Sequence, residues 1–348
     1  MTDSARRSGA VSIHPLHGIP EVTAGDDLGA LIHDALVRAG LTLTEGDVLA
    51  VSSKVISKSE GLRASEDGRA EAVLAQSRRV VAERRTPAGT TRIVEALAGP
   101  VMAGAGIDGS NTGPDGALLL LPHDPDLAAR QLYASLLSAH APQPLPRFGI
   151  VVTDTAGRPW RAGQTDFALG ACSVAVVEDL RGGSDSDGRE LAVTTRAVAD
   201  EIAAAADLVK GKSAAVPVAL IRGLPDGTVT EPGAAGARSL VRTGPGDWFA
   251  LGSAEAVRSA LGVAPGSAAA DEVGIPSALD ETSAERLARA IRLALHGESP
   301  AAQVRPTEAG LVVEADDPFV AGRLCARLEV ALASESLDEL VVTSQPLP

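Results

Sequence analysis

The stretch FGIVVTDTAGRPWRAGQTD, residues 148–166, begins as an apolar run and continues as a polar segment. The apolar run at 148–153 has the length and composition of a buried β-strand. The polar segment at 153–165 carries Asp154, threonine hydroxyls and several cations among glycine and proline residues. Because open α/β proteins place their ligand sites where strands end, this stretch predicts a strand of a central sheet followed by a functional loop.

Two further segments also combine polar side chains with a position after a strand or within a turn. Residues 47–53 (DVLAVSS) predict a buried strand, and VSSKVISKSEG at 51–61 then offers lysines and serine hydroxyls. The segment GAGIDGSNTGPDG at 104–116 is too rich in turn-forming residues for a helix or a strand. Its Asp108 and Asn111 suit a ligand site, but Asp and Asn also bond their own backbone in ordinary turns, so both interpretations stay open for one loop alone.

Apolar residues at helical spacing predict helices between the strands. The helices are expected at 26–40, 69–84, 125–140 and 196–210, and further strands at 91–97, 118–121, 172–177 and 216–221. This alternation predicts an α/β fold with a mixed sheet. The ending GKS at 211–213 does not complete a P-loop, because Ala206 stands where that motif needs glycine and the preceding segment is helical.

The character of the chain changes after Asp247. Residues 260–280 are rich in Ala, Pro, Gly and Ser and predict a flexible connection. Beyond them the pattern predicts a helix, a strand, a second helix and a second strand, at 282–296, 310–315, 317–333 and 339–344. We therefore expect a first domain at 11–247 and a small C-terminal α/β domain at 248–348, which can bury its apolar faces internally.

The composition limits the partners of this protein. Its 348 residues carry a net charge of −14, which opposes binding to nucleic acid or to an anionic membrane surface. Aromatic residues make up 2% of the chain, too few for a base-stacking surface. Cys172 and Cys325 show neither metal nor disulfide spacing, and the sequence contains no signal-peptide or membrane-spanning pattern, so a cytoplasmic protein is expected.

The chain has four lysines among 31 basic residues, and they fall in two pairs. Lys54 and Lys58 follow the strand at 47–53, and Lys210 and Lys212 end the helix at 196–210. A lysine meets a phosphate as a compact point charge, whereas arginine is a planar fork, so the pairs favour contact with phosphate or with a reacting group. Position alone is explained equally well by four surface lysines kept by chance. Asp207 shares a helix face with Lys210. Taken alone, that segment is explained better by an ordinary amphipathic helix with an exposed Asp–Lys pair.

Hard oxygen ligands occur in two of the segments that follow strands or turns. Asp108, Asp154 and Thr155 are of the kind that Mg²⁺ or Mn²⁺ prefers when it also holds nucleotide phosphates. The histidines show no metal spacing, and no Ser/His/Asp nucleophile arrangement stands out. The residues alone therefore leave two interpretations open for Asp108 and Asp154, a divalent-cation site or ordinary turns in which the side chain bonds its own backbone.

Six segments in this order together resemble one family. They are HGIPEV (17–22), VSSKVISKSEG (51–61), AGIDGSN (105–111), LLLLPHDPD (118–126), TDTAGRPWRAGQTD (153–166) and VADEIAAAADLVKGK (198–212). Over roughly residues 11–245 the chain resembles the coenzyme F420-0:L-glutamate ligases, the γ-glutamyl ligases. The resemblance implies a mixed α/β sheet fold particular to that family, without a P-loop. It also implies that GTP phosphorylates the terminal carboxylate of F420-0, that the amine of L-glutamate displaces phosphate, and that a second glutamate can be joined through the γ-carboxylate.

The resemblance also implies roles for individual residues. Metal ligands for Mg²⁺ or Mn²⁺, two ions in all, map to Asp108, Asp154, Thr155 and Asp207, although the family pattern often reads Glu at the last position. GTP contacts map to Ile19, Pro20, Glu21, Val22, Ser53, Lys54, Lys58, Asn111, Ala205, Ala206, Asp207, Leu208, Val209, Lys210, Gly211 and Lys212. Asp108, Asp154 and Lys58 are expected to be catalytic. The cations and aromatic ring of Arg158, Trp160 and Arg161 are expected to contact the substrates, and K⁺ is a further expected cation.

Family resemblance implies a homodimer as well. Some relatives carry a flavin-binding nitroreductase-like domain after the ligase, but residues 248–348 are too few and too poor in aromatic residues for that fold. Two alternatives to the ligase stay open at this point. One is a nucleotide- and metal-dependent kinase or ligase acting on another phosphorylated carboxylate, and the other is a non-catalytic deazaflavin-binding module.

Overall fold

The computed structural model describes residues 10–110, 112, 117–243, 247 and 249–347. The chain divides into two compact units. The first comprises Met1–Gln76 and Ala96–Arg242, and the second comprises Ser77–Glu95 and Thr243–Pro348. The division after Arg242 differs from the boundary expected at 247. The segment Ser77–Glu95 belongs to the second unit rather than to the first.

Helices and strands alternate along much of the chain. In order they are β1 (Ser12–Pro15), α1 (Leu28–Arg38), β2 (Asp47–Ser52), α2 (Ser53–Ser59), β3 (Arg63–Ala64), α3 (Arg69–Ala75), β4 (Ser77–Thr86), β5 (Gly89–Ala96), β6 (Val101–Ala103), β7 (Leu118–Leu119), α4 (Pro125–His140), β8 (Phe148–Arg158), β9 (Arg161–Cys172), β10 (Glu178–Asp179), β11 (Thr195–Arg196), α5 (Val198–Lys210), β12 (Val218–Arg222), α6 (Ser253–Ala260), α7 (Ala268–Val273), α8 (Ser283–Leu295), β13 (Gln303–Thr307), β14 (Gly310–Glu314), α9 (Pro318–Ser334) and β15 (Val342–Gln345). None of the helices in the described ranges is both long and apolar enough to cross a membrane.

The first unit is built on a five-stranded sheet in the order β1-β12-β2-β8-β9. β2 and β8 run parallel, with Ser52 opposite Thr153, whereas the other neighbours are antiparallel. The two parallel strands therefore end at the same edge of the sheet, and β12 begins at that edge, where Val218 pairs with Val51. The predicted α/β fold with a mixed sheet is confirmed.

Helices cover both faces of this sheet. Tyr133 of α4 stacks on Phe148, with ring centroids 4.5 Å apart, whereas Val151 packs into the apolar cluster of α5. Because side chains at odd and even positions of a strand point to opposite faces, α4 and α5 lie on opposite sides of β8. α1 packs on α4 through Gly29, where a Cβ atom would lie 2.1 Å from the hydroxyl of Ser135. Only glycine permits that approach of the two helices.

Several predicted elements differ from the structure. The helix expected at 69–84 ends at Ala75, and Ser77–Thr86 forms β4 instead. Its sequence SRRVVAERRT places β-branched Val80 and Val81 among long polar side chains, a composition that suits a strand as well as a helix. The strand expected at 172–177 is also wrong, because β9 ends at Cys172.

The polar segment expected to be a loop at 153–165 is largely a β-hairpin. β8 continues through it as far as Arg158, and β9 starts at Arg161. The connecting Trp160 has a φ of +57°, in the left-handed region that tight turns use. Threonines with β-branched side chains allow the strand to continue past the apolar run.

The second unit has its own apolar core around β14, α8 and α9. Its sheet follows the order β13-β14-β15. Residues 260–280, expected to be a flexible connection, contain α7, whose Ala270 and Val273 are buried in this core. The hairpin of β4 and β5 is bound to the same unit, because Glu255 accepts a hydrogen bond from the backbone N–H of Glu83 at 3.0 Å.

Candidate functional site

A cavity of about 670 Å³ opens in the first unit. Its lining includes the ends of β2 and β8 and the residues just before β12, which meet at one edge of the sheet. The volume lies in the range that holds a nucleotide or another ligand of that size. All four lysines of the chain line it, namely Lys54, Lys58, Lys210 and Lys212. The prediction from lysine usage that the two pairs share a function is thus supported by their convergence.

The C-terminal end of α5 contributes one side of the cavity. Asp207 and Lys210 lie three residues apart on the same helix face and both line it. The helix ends at Gly211, whose φ of +59° directs the chain toward Lys212. Between these positions Leu208 points outward and is 84% exposed.

Lys210 is buried and belongs to a network on the hairpin of β8 and β9. Its Nζ atom donates to Asp166 Oδ2 at 2.6 Å and to Thr153 Oγ1 at 2.6 Å. The hydroxyls of Thr153 and Thr155 donate to the two oxygens of Asp166 at 2.8 and 2.7 Å. Burial opposes ionisation of Asp166, but Lys210 and the hydroxyls outweigh it and hold its pKa below the usual range.

Asp154 lies between these two threonines in sequence and faces the other side of the sheet. The hydroxyl of Ser53, at the start of α2, donates to Asp154 Oδ1 at 3.2 Å. Burial raises the pKa of Asp154 to about 7, and the charges of Asp166 and Asp108 add to this effect. Burial disfavours the ionised form of this carboxyl group, and a positive charge brought close to it would stabilise that form.

Asp108 forms an ion pair with Lys54, which lines the cavity. Lys54 Nζ lies 2.8 Å from Asp108 Oδ2 and also donates to the backbone oxygen and the hydroxyl of Ser110, at 3.0 and 2.9 Å. The backbone N–H of Ser110 donates to Asp108 Oδ1 at 2.6 Å. Although burial opposes ionisation, these donors lower the pKa of Asp108. Lysine and carboxylate thus fix the glycine-rich segment against α2.

Lys58 is 6% exposed, and its Nζ lies 2.5 Å from Oε1 of the largely exposed Glu21. Helix α2 begins directly after β2 and therefore projects Lys54 and Lys58, four residues apart, toward the same end of the sheet. Glu21 belongs to the segment that follows β1, which ends at the same edge as β2. The predicted residues Ile19, Pro20 and Val22 line the cavity beside it.

The structure brings together most of the residues predicted for the site. Ser53 and Asp108 do not line the cavity themselves but bond to Asp154 and Lys54, which do. Four predicted residues of α5 lie elsewhere: Ala206 in the core, Val209 packed against it, Leu208 at the surface and Ala205 in a separate 240 Å³ cavity. Helical periodicity explains this, since only every third or fourth residue of α5 can face one site. Asn111 lies outside the described residues.

The residues predicted to contact the substrates lie at the turn of the hairpin. Arg158, Trp160 and Arg161 are not among the residues that line the cavity, and Trp160 is 85% exposed. One guanidinium nitrogen of Arg158 is buried without a hydrogen-bond acceptor in the described part of the chain. Arg158 ends β8 and Arg161 begins β9, so these side chains lie at the turn of the hairpin and not in the loop that the sequence pattern predicts.

The donor set fits a hard divalent cation. Burial raises the pKa of both Asp154 and Asp207, and the charge of Asp166 acts on each of these carboxyl groups in the same direction. Carboxylate and hydroxyl oxygens are the ligands that Mg²⁺ and Mn²⁺ favour. No three His, Cys, Asp or Glu side chains within the described ranges surround a single point closely enough to hold a metal ion by themselves. Ligand oxygens from a nucleotide would complete such a site.

The sequence interpretation assigned no role to Asp166 or to Thr153. Both line the cavity. Asp166 closes the segment TDTAGRPWRAGQTD, and a hairpin register would have placed it opposite Thr155, as observed. Because the segment was interpreted as a loop, this cross-strand relation could not be inferred.

This mixed α/β protein carries a cavity at one edge of its sheet that is lined by lysine and carboxylate side chains. Residues 18–223 match the family described as F420-0:Gamma-glutamyl ligase. The chain is 40% identical over 226 residues to the coenzyme F420:L-glutamate ligase of Halobacterium salinarum (strain ATCC 29341 / DSM 671 / R1), covering 59% of this chain and 84% of that protein. Its identity to the coenzyme F420:L-glutamate ligase of Natronomonas pharaonis is 37% over 215 residues, covering 56% and 79%. This chain belongs to the F420-0:Gamma-glutamyl ligase family.

The residues that match the family do not coincide with either of the two units. The match covers the cavity and also includes Ser77–Glu95, which belongs to the second unit. Residues 224–242, at the end of the first unit, and the C-terminal part of the second unit lie beyond it. The family resemblance inferred from the six segments is confirmed.

Proposed function

We propose that this protein is a GTP- and divalent-metal-dependent ligase that joins L-glutamate to coenzyme F420-0 and extends the product through γ-linkage. The observation that carries the proposal is the convergence of all four lysines of the chain, together with Asp154, Asp166 and Asp207, on one cavity. Family membership supports a ligase, and the names of its relatives support glutamate and the deazaflavin coenzyme as substrates. The dependence on GTP and on metal is our proposal from the site chemistry and the sequence resemblance.

The proposed reaction has two steps. A carboxylate oxygen of F420-0 attacks the γ-phosphorus of GTP, the bond to the β,γ-bridging oxygen breaks, and GDP leaves. The neutral amine of glutamate then attacks the carbonyl carbon of the acyl phosphate, inorganic phosphate leaves, and the amine gives up a proton as the amide forms. Both steps bring negative groups together, so catalysis depends on neutralising charge and on positioning.

The lysines are suited to that neutralisation. The protein carries a net charge of −14, while both substrates and the nucleotide are anionic. Local cations in a confined cavity raise the concentration of anionic ligands despite an unfavourable overall charge. Lys58, Lys210 and Lys212 would meet phosphate groups as point charges. Lys54, which holds Asp108, would keep the glycine-rich segment in place beside the nucleotide.

The nucleotide would lie along the segments at 19–22 and 51–61 and beside residues 207 and 210–212, with Ser53 and Asn111 as further contacts. Asp108, Asp154, Thr155 and Asp207 would hold Mg²⁺ or Mn²⁺, which when bound stabilises charge on the transferring phosphoryl group. K⁺, a homodimer and substrate contacts by Arg158, Trp160 and Arg161 are parts of this proposal that rest on the family resemblance. A cytoplasmic location is a further part, which rests on the sequence pattern.

Acceptor selectivity tests the proposal against other carboxylate-activating enzymes. The thermal midpoint of the protein with Mg²⁺ and GTP is measured as F420-0 or unrelated phosphorylated carboxylates are added. Because a ligand that binds only the folded state raises the midpoint, F420-0 alone should produce a saturable increase. Equal shifts with the unrelated carboxylates would favour a kinase or ligase of a different substrate class.

A further inference from the structure

The carboxylate of Asp166 is buried at the cavity, yet the proposed reaction assigns it no contact with nucleotide or substrate. Its side chain is 5% exposed. Both oxygens are occupied: Oδ1 accepts from Thr155, and Oδ2 accepts from Thr153 and Lys210. A buried carboxylate with this many donors has a fixed orientation, and it fixes the orientation of each donor in turn.

The contact with Thr155 determines where that hydroxyl can bind a cation. Thr155 donates its proton to Asp166 Oδ1 at 2.7 Å. A neutral hydroxyl ligates a metal only through an oxygen lone pair, and with the proton directed at Asp166 the lone pairs point away from that carboxylate. Asp166 therefore acts on Thr155 as outer carboxylates act on metal-bound histidines, by setting the orientation of the ligand atom.

The contact with Lys210 determines which part of the ammonium faces the cavity. Two of its three hydrogens are directed at Asp166 Oδ2 and Thr153 Oγ1, both at 2.6 Å. Lys210 also lines the cavity, so the remaining hydrogen is available to an anionic ligand there. An ammonium held at two points loses little further side-chain freedom when it meets a phosphate.

We infer that Asp166 is a positioning residue of this site, which orients Thr155 toward the cation and Lys210 toward the phosphate groups through one shared carboxylate. The inference rests on the proposed use of metal and GTP. It differs from a purely structural ion pair in its consequence, because one side chain couples the binding of two different ligands. A structural pair would affect stability alone.

The test compares the full-length wild type with Asp166→Asn and with a matched control, Asp200→Asn. Asp200 lies on α5, is partly buried, and accepts a hydrogen bond from the backbone of Ala168, but it is not among the residues that line the cavity. Calorimetric titration measures the Kd of Mn²⁺ alone and the Kd of GTP in saturating Mn²⁺. Thermal unfolding of the ligand-free proteins is recorded alongside.

Asp166→Asn should weaken both Mn²⁺ and GTP by about 10- to 100-fold, the range found when outer partners of metal ligands are replaced. Asp200→Asn should leave both Kd values within about threefold of the wild type, because its amide oxygen can still accept the hydrogen bond from Ala168. If Asp166→Asn does not fold, Asp166→Glu keeps the charge beside Lys210 but displaces both oxygens by a methylene group. It should then show the same paired loss of affinity.

Folded variants of Asp166 with wild-type Kd values for both ligands would overturn the positioning role, and a lowered thermal midpoint would then show that the pair is only structural. Loss of affinity for one ligand with the other unchanged would also overturn it, because the coupling through one carboxylate would be absent. A wild-type protein that binds neither Mn²⁺ nor GTP would contradict the proposed function itself, and the inference with it.

Discussion

Lys210 Nζ lies 2.6 Å from Oδ2 of Asp166, and each side chain is only 5% exposed. The pair joins the end of α5 to the second strand of the hairpin that carries Asp154 and Thr155. Its position at the cavity links the stability of the first unit to the arrangement of its ligand-binding groups.

Replacement of Lys210 should lower the free energy of unfolding. Lys210→Met leaves Asp166 buried with hydroxyl donors but without a counter-ion, and breaking one side of a buried pair costs about 3–5 kcal/mol. The double variant Lys210→Met/Asp166→Asn removes the uncompensated charge and should recover part of the loss. Denaturant unfolding at neutral pH measures both values. A single variant as stable as the wild type would show that the pair contributes nothing in solution.

Asp154→Asn should abolish glutamate addition while leaving the fold intact. Asparagine keeps the shape of the side chain but removes the negative charge that attracts a hard cation. Product mass and Mn²⁺ titration measure the two losses, and circular dichroism checks the fold. Near-normal turnover in saturating metal would contradict the role assigned to Asp154.

The same variant should also change how stability depends on pH in the absence of ligands. The pKa of Asp154 is raised from 3.8 to about 7 in the folded protein, so between these values the folded state holds a proton that the unfolded chain has released. This contribution to stability decreases as pH rises through that range. Asp154→Asn should therefore stabilise the ligand-free protein at about pH 8 by roughly 2–4 kcal/mol and have little effect near pH 4. Equal effects at both pH values would rule out a raised pKa at this position.

Lys58→Arg should be damaging although the charge is kept. Lys58 is 6% exposed, with its ammonium 2.5 Å from Glu21, and a guanidinium is larger and holds its donors in a plane. We expect a KM for GTP raised about tenfold or more, or a comparably lowered kcat, from steady-state kinetics. Arg38→Lys, at an exposed site that bonds the backbone of Gly18, offers a control exchange of the same two residue types. Full activity of Lys58→Arg would show that position 58 does not require the compact ammonium group of lysine.

The division of the chain predicts which deletion yields an intact ligase unit. Truncation after 247 removes Glu255 and its hydrogen bond to Glu83, and leaves a hairpin whose partners in the second unit are gone. A variant that lacks 77–95 and 243–348 should instead be soluble. Its ends can be joined by a short glycine linker, because the backbone N–H of Leu97 donates to the oxygen of Gln76 at 2.9 Å.

Light scattering and product mass compare these two variants with the full-length chain. The deletion of both segments should be monodisperse and should retain GTP-dependent activity, whereas the simple truncation should aggregate. If the simple truncation behaves as well as the double deletion, the hairpin does not depend on the second unit.

Buried strands and well-capped helices could be predicted from the sequence because local patterns determine them. α4 runs from Pro125 to His140 as expected, with Asp124 accepting from the backbone of Leu127 at its N-terminus. Residue usage together with the family resemblance predicts that both lysine pairs contact phosphate or a reacting group, and all four lysines line one cavity. For α4 the information lies within one segment, and for the lysines it lies in the composition of the whole chain.

Features that depend on distant segments could not be predicted in this way. Ser77–Thr86 combines valines with helix-favouring arginine and glutamate, and besides the neighbouring strand β5 it contacts Glu255, which lies 172 residues away from Glu83 in sequence. The importance of Asp166 depends on a strand register and on a lysine from α5. Neither relation has a local pattern that distinguishes it from a polar loop.

The mass of the product formed by the purified full-length protein tests the central claim most directly. The protein is incubated with F420-0, L-glutamate, Mg²⁺ or Mn²⁺, and GTP, with parallel reactions that omit GTP, replace it with ATP, or contain a chelator. Our account predicts an increase in the mass of F420-0 by whole glutamyl residues, together with GDP and phosphate, only in the complete GTP reaction. An unchanged mass in that reaction, or the same increase without GTP or with chelator, would contradict it.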